Sequence, residues 1–146
     1  MVVFPPVLPA SGFLLGVLLG KLYPLAPPGP VWLRLVGAAI ACAGAAGFAW
    51  MVITMKRART PIHNRKTPTT LVETGPFRRT RNPMYLFGTV FYAGMTLVAW
   101  QLWSLALLPI VTLAMHYGVV LREEAYLDRK FGNAYRQFKQ RVPRWL

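Results

Sequence analysis

The stretch MYLFGTVFYAGMTLVAWQLWSLALLPIVTLAMHYGVVL, residues 84–121, runs for 38 positions without a single Lys, Arg, Asp or Glu. At 1.5 Å per residue one helix of that length would be roughly 57 Å long, against about 30 Å of bilayer hydrocarbon, so the stretch predicts two crossings. The natural break is Trp100 to Ser104, where two Trp and Gln101 have the composition of an interfacial turn. Upstream, Val31 to Met55 holds one charge, Arg34, and Val7 to Ala26 holds one, Lys21, with a Pro-Gly turn at Pro27 to Pro30 between them. The first run has no basic segment before it, as a signal peptide would, and reads as a retained helix. The expected fold is all-α, a polytopic integral membrane protein forming one domain over residues 1–146. Its helices fall near 7–26, 31–55, 84–100 and 105–121, with a loop at 56–83 and a tail at 122–146.

Composition agrees. Of 146 residues, 55% are apolar and 14% charged, whereas a soluble domain has about a quarter charged. Five Trp, six Tyr and eight Phe exclude disorder. A single cysteine, Cys42, excludes a disulfide framework and a cysteine metal site, and no metal is expected; Cys42 itself reads as a buried packing residue. The net charge is +13, and 15 of the 17 Lys and Arg lie in residues 56–82 or from Arg122 onward. Cytoplasmic loops carry the basic excess, so both termini are expected inside. Topology thereby accounts for the charge without nucleic acid as a partner, and the two basic segments are short and interrupted by proline.

Small residues recur every four positions at Gly12, Gly16 and Gly20 and at Gly37, Ala41 and Ala45. Each set makes a flat stripe for close helix approach, and the first two helices are expected to pack together through them; a dimer face is the alternative.

Polar chemistry gathers in two clusters. The first runs from Lys66 to Tyr85, where Gly75-Pro76 makes a turn, Pro83 suits the first helical position and Asn82 is a good N-cap. A helix start beside Arg78, Arg79 and Arg81 attracts an anion, or is simply a capped helix with headgroup arginines. The second runs from Arg122 to Gly132 and packs three of the four acids, Glu123, Glu124 and Asp128, into six positions. They serve either salt bridges or a ligand with positive charge. His116, Val120, Glu123 and Leu127 follow at spacings of four, three and four, an expected single face from a membrane-depth His to a carboxylate. His116 is a hydrogen-bonded bundle residue or a catalyst.

Gly75-Pro76-Phe77-Arg78, Arg81-Asn82-Pro83-Met84-Tyr85, Glu123-Glu124 with Leu127, Phe131-Gly132, Tyr135 and Val142-Pro143-Arg144 occur in an order that resembles the isoprenylcysteine carboxyl methyltransferase family. The likeness is to its short bacterial membrane members, related to phospholipid methyltransferases, and it covers residues 60–146. Asn82 departs from the eukaryotic branch, which has His there. The resemblance implies a bacterial plasma-membrane enzyme that uses S-adenosylmethionine, bound at the cytoplasmic ends of the last two membrane helices. It implies contacts from Arg81, Asn82, Pro83, Tyr85 and Gly88 on one side and from Glu123, Glu124 and Leu127 on the other, with Tyr135 and Phe138 over the adenine. The implied acceptor is lipophilic, a prenylated carboxylate or another lipid. Arg81 is the candidate to orient a carboxylate, while an amine or hydroxyl acceptor needs a base, for which His116 or a glutamate is the candidate.

Two other classes compete. A small multidrug-type transporter of four helices relies on an acid within the membrane, and none of the four runs contains one. A non-catalytic scaffold on the same fold is the other, and saturable S-adenosylmethionine binding separates it from an enzyme.

Overall fold

The computed structural model describes residues 7–25, 27–60 and 70–146, and the part of the first polar cluster from Lys66 to Thr69 lies outside them. The described residues form helices α1 (Val7–Leu22), α2 (Val31–Arg57), α3 (Pro83–Val98), α4 (Leu102–Met115), α5 (Leu121–Phe131) and α6 (Asn133–Arg141), with no strand among them. A 3₁₀ turn, Gly75–Arg78, precedes α3, and a π turn, His116–Val120, joins α4 to α5 in one continuous rod. The first helix stops four residues short of the expected 26, at Leu22. The last extends from Leu102 through Phe131, beyond the expected 121, because Arg122 to Lys130 are good helix formers with both acids in the first turn and both bases in the last.

Two helices, Val31–Arg57 and Leu102–Phe131, are long and apolar enough to cross a membrane, and α1 and α3 are apolar but shorter. Large apolar residues face outward, among them Leu14, Leu18, Leu35, Trp50, Ile110 and Leu113, while Gly12, Gly16, Gly37, Ala41, Gly44, Gly47 and Gly94 are buried. That inversion suits helices surrounded by lipid, where contact comes from close backbone approach between small residues.

The pairing differs from the expectation that the first two helices pack together. α1 packs along α4 and α2 along α3. A Cβ on Gly16 would strike Ser104, and one on Gly44 would strike the Phe91 backbone. Each stripe of small residues fits any complementary backbone, so the choice rests with the partner, here Ser104 on α4 and the Gly94 groove on α3. Ala41 is buried as expected, but Ala45 is exposed and Gly44 and Gly47 carry the contact instead. Cys42, expected to be buried, is exposed. It lies one position from the α3 contact, on the side of α2 that no helix covers.

Between α3 and α4 the chain reverses at Ala99 to Gln101, one residue ahead of the expected 100–104 break and overlapping it. Gln101 N donates to Thr96 O at 2.8 Å and Trp100 N to Leu97 O at 3.2 Å, which closes the turn.

Candidate active site

The 3₁₀ turn sets the approach to α3. Gly75 has φ +59° and lies against Thr54 of α2, so both backbone freedom and the lack of a Cβ are required there. The chain then passes Thr80, Arg81 and Asn82 against the C-terminal tail. Arg81 N donates to Pro143 O at 3.0 Å, the Thr80 hydroxyl to Arg144 O at 3.0 Å, and Asn82 Nδ2 to Arg144 O at 3.3 Å.

Glu124, 5% exposed, is the hub. Its Oε1 accepts from Arg144 Nε at 3.0 Å and from Asn82 Nδ2 at 3.2 Å, and its Oε2 accepts from Arg144 Nη2 at 3.0 Å. Arg81 Nη1 stands 3.2 Å from Oε1 as a buried ion pair. Only the uncharged part of the α4–α5 rod, which ends at Leu121, is membrane-like in composition, and these groups lie past it. Burial works to raise the Glu124 pKa, but the Arg144 hydrogen bond, the Arg81 charge, the Asn82 amide and the Arg144 charge together outweigh it, and the carboxyl lies below its usual range. The same hydrogen bond raises Arg144.

Glu123 has a different setting. Its Oε2 accepts from the Tyr85 hydroxyl at 2.6 Å. Burial, with the Glu124 charge adding to it, raises its pKa against the pull of that hydrogen bond. One carboxylate is thus saturated by donors and the other has capacity left. Arg81 supplies the complementary feature: its side chain is 9% exposed and its buried Nε has no hydrogen-bond partner among the described residues. A buried donor without an acceptor is costly in a closed structure and marks a place where a ligand acceptor fits.

Asn82 occupies the cap position of α3 by its backbone, since Leu86 N donates to Asn82 O at 3.1 Å, but its side chain makes no cap hydrogen bond. That corrects the expected capping role. Pro83 offers no N–H, and the side-chain amide finds a buried charged acceptor in Glu124 instead. Pro83 and Tyr85 are buried beside it. A Cβ on Gly88 would meet nothing within 4 Å, so packing does not explain this glycine, and open space lies over it.

Tyr135 and Phe138, 1% and 2% exposed, point into a cluster with Val142, Leu71, Phe77, Leu127 and Phe131. They form the core that ties α6 and the tail to the loop. Burial and then the Glu124 charge push the Tyr135 phenol up to about 12. The expected straight face from His116 to Leu127 is interrupted, because the π turn inserts a wide turn into the 3.6-residue period. The His116 ring lies 5.0 Å from Tyr117 and 5.8 Å from Trp145, and among the described residues no hydrogen bond joins it to the acids.

Two contributors escaped the sequence reading: Thr80, and Arg144 as the bidentate partner of Glu124. Arg144 stood in a quoted motif, after a helix-stopping Pro143, and that placement was its only signal.

Comparison with known proteins adds the family. A stretch of 57 residues, 36% of this chain, is 46% identical to an uncharacterised protein of Haemophilus influenzae and covers 90% of it. No solved structure matches. Residues 32–134 match the phospholipid methyltransferase family, to which the isoprenylcysteine carboxyl methyltransferase-like proteins are allied. That span runs from α2 through both acids to the start of α6, and the chain belongs to this family of membrane methyltransferases.

Proposed function

We propose that the protein is an S-adenosylmethionine-dependent methyltransferase acting on a lipophilic acceptor at the cytoplasmic face of a bacterial plasma membrane. It crosses four times with both termini inside. The observation that carries the reading is a buried arginine, Arg81, paired with Glu124 but with an Nε that lacks an acceptor among the described residues, next to a second carboxylate, Glu123, held by the Tyr85 hydroxyl, at the end of apolar helices in a chain of this family.

The residues fit the cofactor. Glu123 offers a carboxylate to its positive charge and Arg81 Nε a donor to its carboxylate, while Asn82, Pro83 and Tyr85 wall the site and Gly88 leaves room beside α3. When bound, the cofactor supplies an electrophilic methyl group carried on a sulfonium. Glu124 acts at one remove, holding Arg81 and the start of α3 through Asn82 and Arg144. The apolar helix ends exclude water, which favours a reaction in which charge disappears, and holding the reactants in line supplies much of the rate. A carboxylate acceptor is oriented by Arg81 and needs no base. An amine or hydroxyl acceptor gives its proton to Glu123, whose pKa burial raises above the ordinary glutamate value, or to His116. The transporter reading gains nothing from the structure, since the acids cluster past the apolar part of the last rod.

Calorimetric titration of the detergent-purified protein with S-adenosylmethionine tests the proposal. Saturable binding is expected, and its absence would overturn the reading. Incubation of a lipid extract with labelled cofactor, followed by mass spectrometry, then identifies the acceptor.

A further inference from the structure

At the opposite end of the helices from the acids, α1, the chain after it and the turn between α3 and α4 line a half-open cavity of about 170 Å³, bordered by Lys21, Pro24, Leu25, Trp100, Gln101 and Trp103. Its walls are tied together. Trp100 Nε1 donates to Pro27 O at 2.9 Å and Trp103 Nε1 to Tyr23 O at 2.7 Å, so two indoles from the turn clasp the chain that follows α1. Trp100 has φ +53°, a left-handed backbone that a bulky residue rarely adopts, and its ring lies where a Cβ on Gly29 would strike it. That backbone ends α3, where Gln101 N donates to Thr96 O, and it fixes the Trp100 ring against the chain that follows α1.

The polar groups of this cavity face its opening, Lys21 exposed and Gln101 half-buried. Lys21 has no ion pair, and the Gln101 side-chain amide has no hydrogen bond, among the described residues. No acidic residue precedes Glu73, so nothing upstream of it neutralises the Lys21 charge. The cavity therefore favours an anion. At about 170 Å³ it is smaller than the ~300–1,000 Å³ pockets that take whole drug-sized ligands, which limits the occupant to a headgroup. Indole and proline walls at the end of apolar helices put it at the level of lipid headgroups, where Trp is enriched and Lys reaches the interface.

We propose that this cavity is a binding site for the phosphate headgroup of an anionic phospholipid. Lys21 provides the charge, Gln101 a hydrogen bond, and Trp100, Trp103, Pro24 and Leu25 the surface for the glycerol and first methylenes. It is an accessory site, not that of the methyl acceptor. Glu124 lies roughly 33 Å away at 1.5 Å per residue along the rod that starts at Leu102.

Native mass spectrometry of the full-length protein, solubilised from bilayers of equal phosphatidylglycerol and phosphatidylcholine, tests the site without reference to methyl transfer. The wild type should retain one phosphatidylglycerol in preference to phosphatidylcholine. Lys21→Gln should lower that retention about tenfold, Lys21→Arg should keep it, and Arg34→Gln, the other basic residue outside the two basic segments, should leave it unchanged. Gln101→Glu, which puts a carboxylate in the cavity, should abolish retention. Undiminished retention in Lys21→Gln and Gln101→Glu, an equal loss in Arg34→Gln, or equal retention of the two lipids overturns the proposal. So does a thermal stabilisation by millimolar inorganic phosphate equal to that by the lipid, which would assign the cavity to a free anion.

Discussion

Glu124 meets donors from Asn82 and Arg144 and the charge of Arg81, while Glu123 accepts from the Tyr85 hydroxyl, and the two acids should fail differently on neutralisation. Glu124→Gln leaves Arg81 buried without its counter-charge, a change that costs about 3 to 5 kcal/mol, so a large fall in melting temperature is expected. Glu123→Gln keeps an acceptor for Tyr85 and should stay folded while cofactor affinity falls ten- to a hundredfold, about 1.5 to 3 kcal/mol, in calorimetry. Their pH dependences run in opposite directions. Glu123 has a raised pKa, so the folded form binds its proton more tightly, and the resulting stability is complete below the ordinary glutamate value of 4.5 and is lost as pH rises through the folded value. Glu124 has a lowered pKa, so its contribution is complete above 4.5 and is lost as pH falls through its folded value. Melting temperature should therefore peak in mildly acid buffer; Glu123→Gln removes the rise and Glu124→Gln the acid-side fall.

Asn82 provides the second residue-scale test. Because its amide donates 3.2 Å to Glu124 and makes no cap hydrogen bond, Asp at this position sets a carboxylate against a buried carboxylate, while Ala only deletes a donor. Thermal melts should rank wild type above Asn82→Ala, by about 1 kcal/mol, and Asn82→Ala above Asn82→Asp. An Asp variant as stable as wild type would restore the capping account.

At the scale of elements, glycines that look alike in sequence do separate jobs. Gly44 faces the Phe91 backbone across the α2–α3 contact, where a methyl group cannot fit without prying the helices apart, whereas Gly88 opens onto free space. Gly44→Ala should lower the melting temperature, an overpacked contact costing about 1 to 3 kcal/mol. Gly88→Ala should melt at or above the wild-type temperature, yet bind cofactor more weakly if the space over α3 holds it. Unchanged affinity in Gly88→Ala would remove that residue from the site. The glycine spacing showed that close helix contacts exist, but Gly16 could have met α2 as readily as α4; Ser104, 88 residues on, decides it.

For the whole molecule, the proposed orientation rests on the 15 basic residues in two segments. In a Cys42→Ala background, Cys placed at exposed Gln140 should react with a membrane-impermeant thiol reagent only after the cells are opened, and Cys placed at exposed Pro28 should react in intact cells. The reverse pattern would overturn the inner-face site. Hydropathy and charge by themselves determined the all-helical class, the reversal near Trp100, the helix start at Pro83 and the gathering of acids at 123–128, because these depend on composition and short-range spacing. Only the tertiary structure decided which glycine stripe meets which helix, that Asn82 turns from its cap to Glu124, and that Arg144 saturates one glutamate and leaves its neighbour available. Those outcomes depend on residues 20 to 91 positions apart, and their energies come from buried geometry that no local pattern encodes.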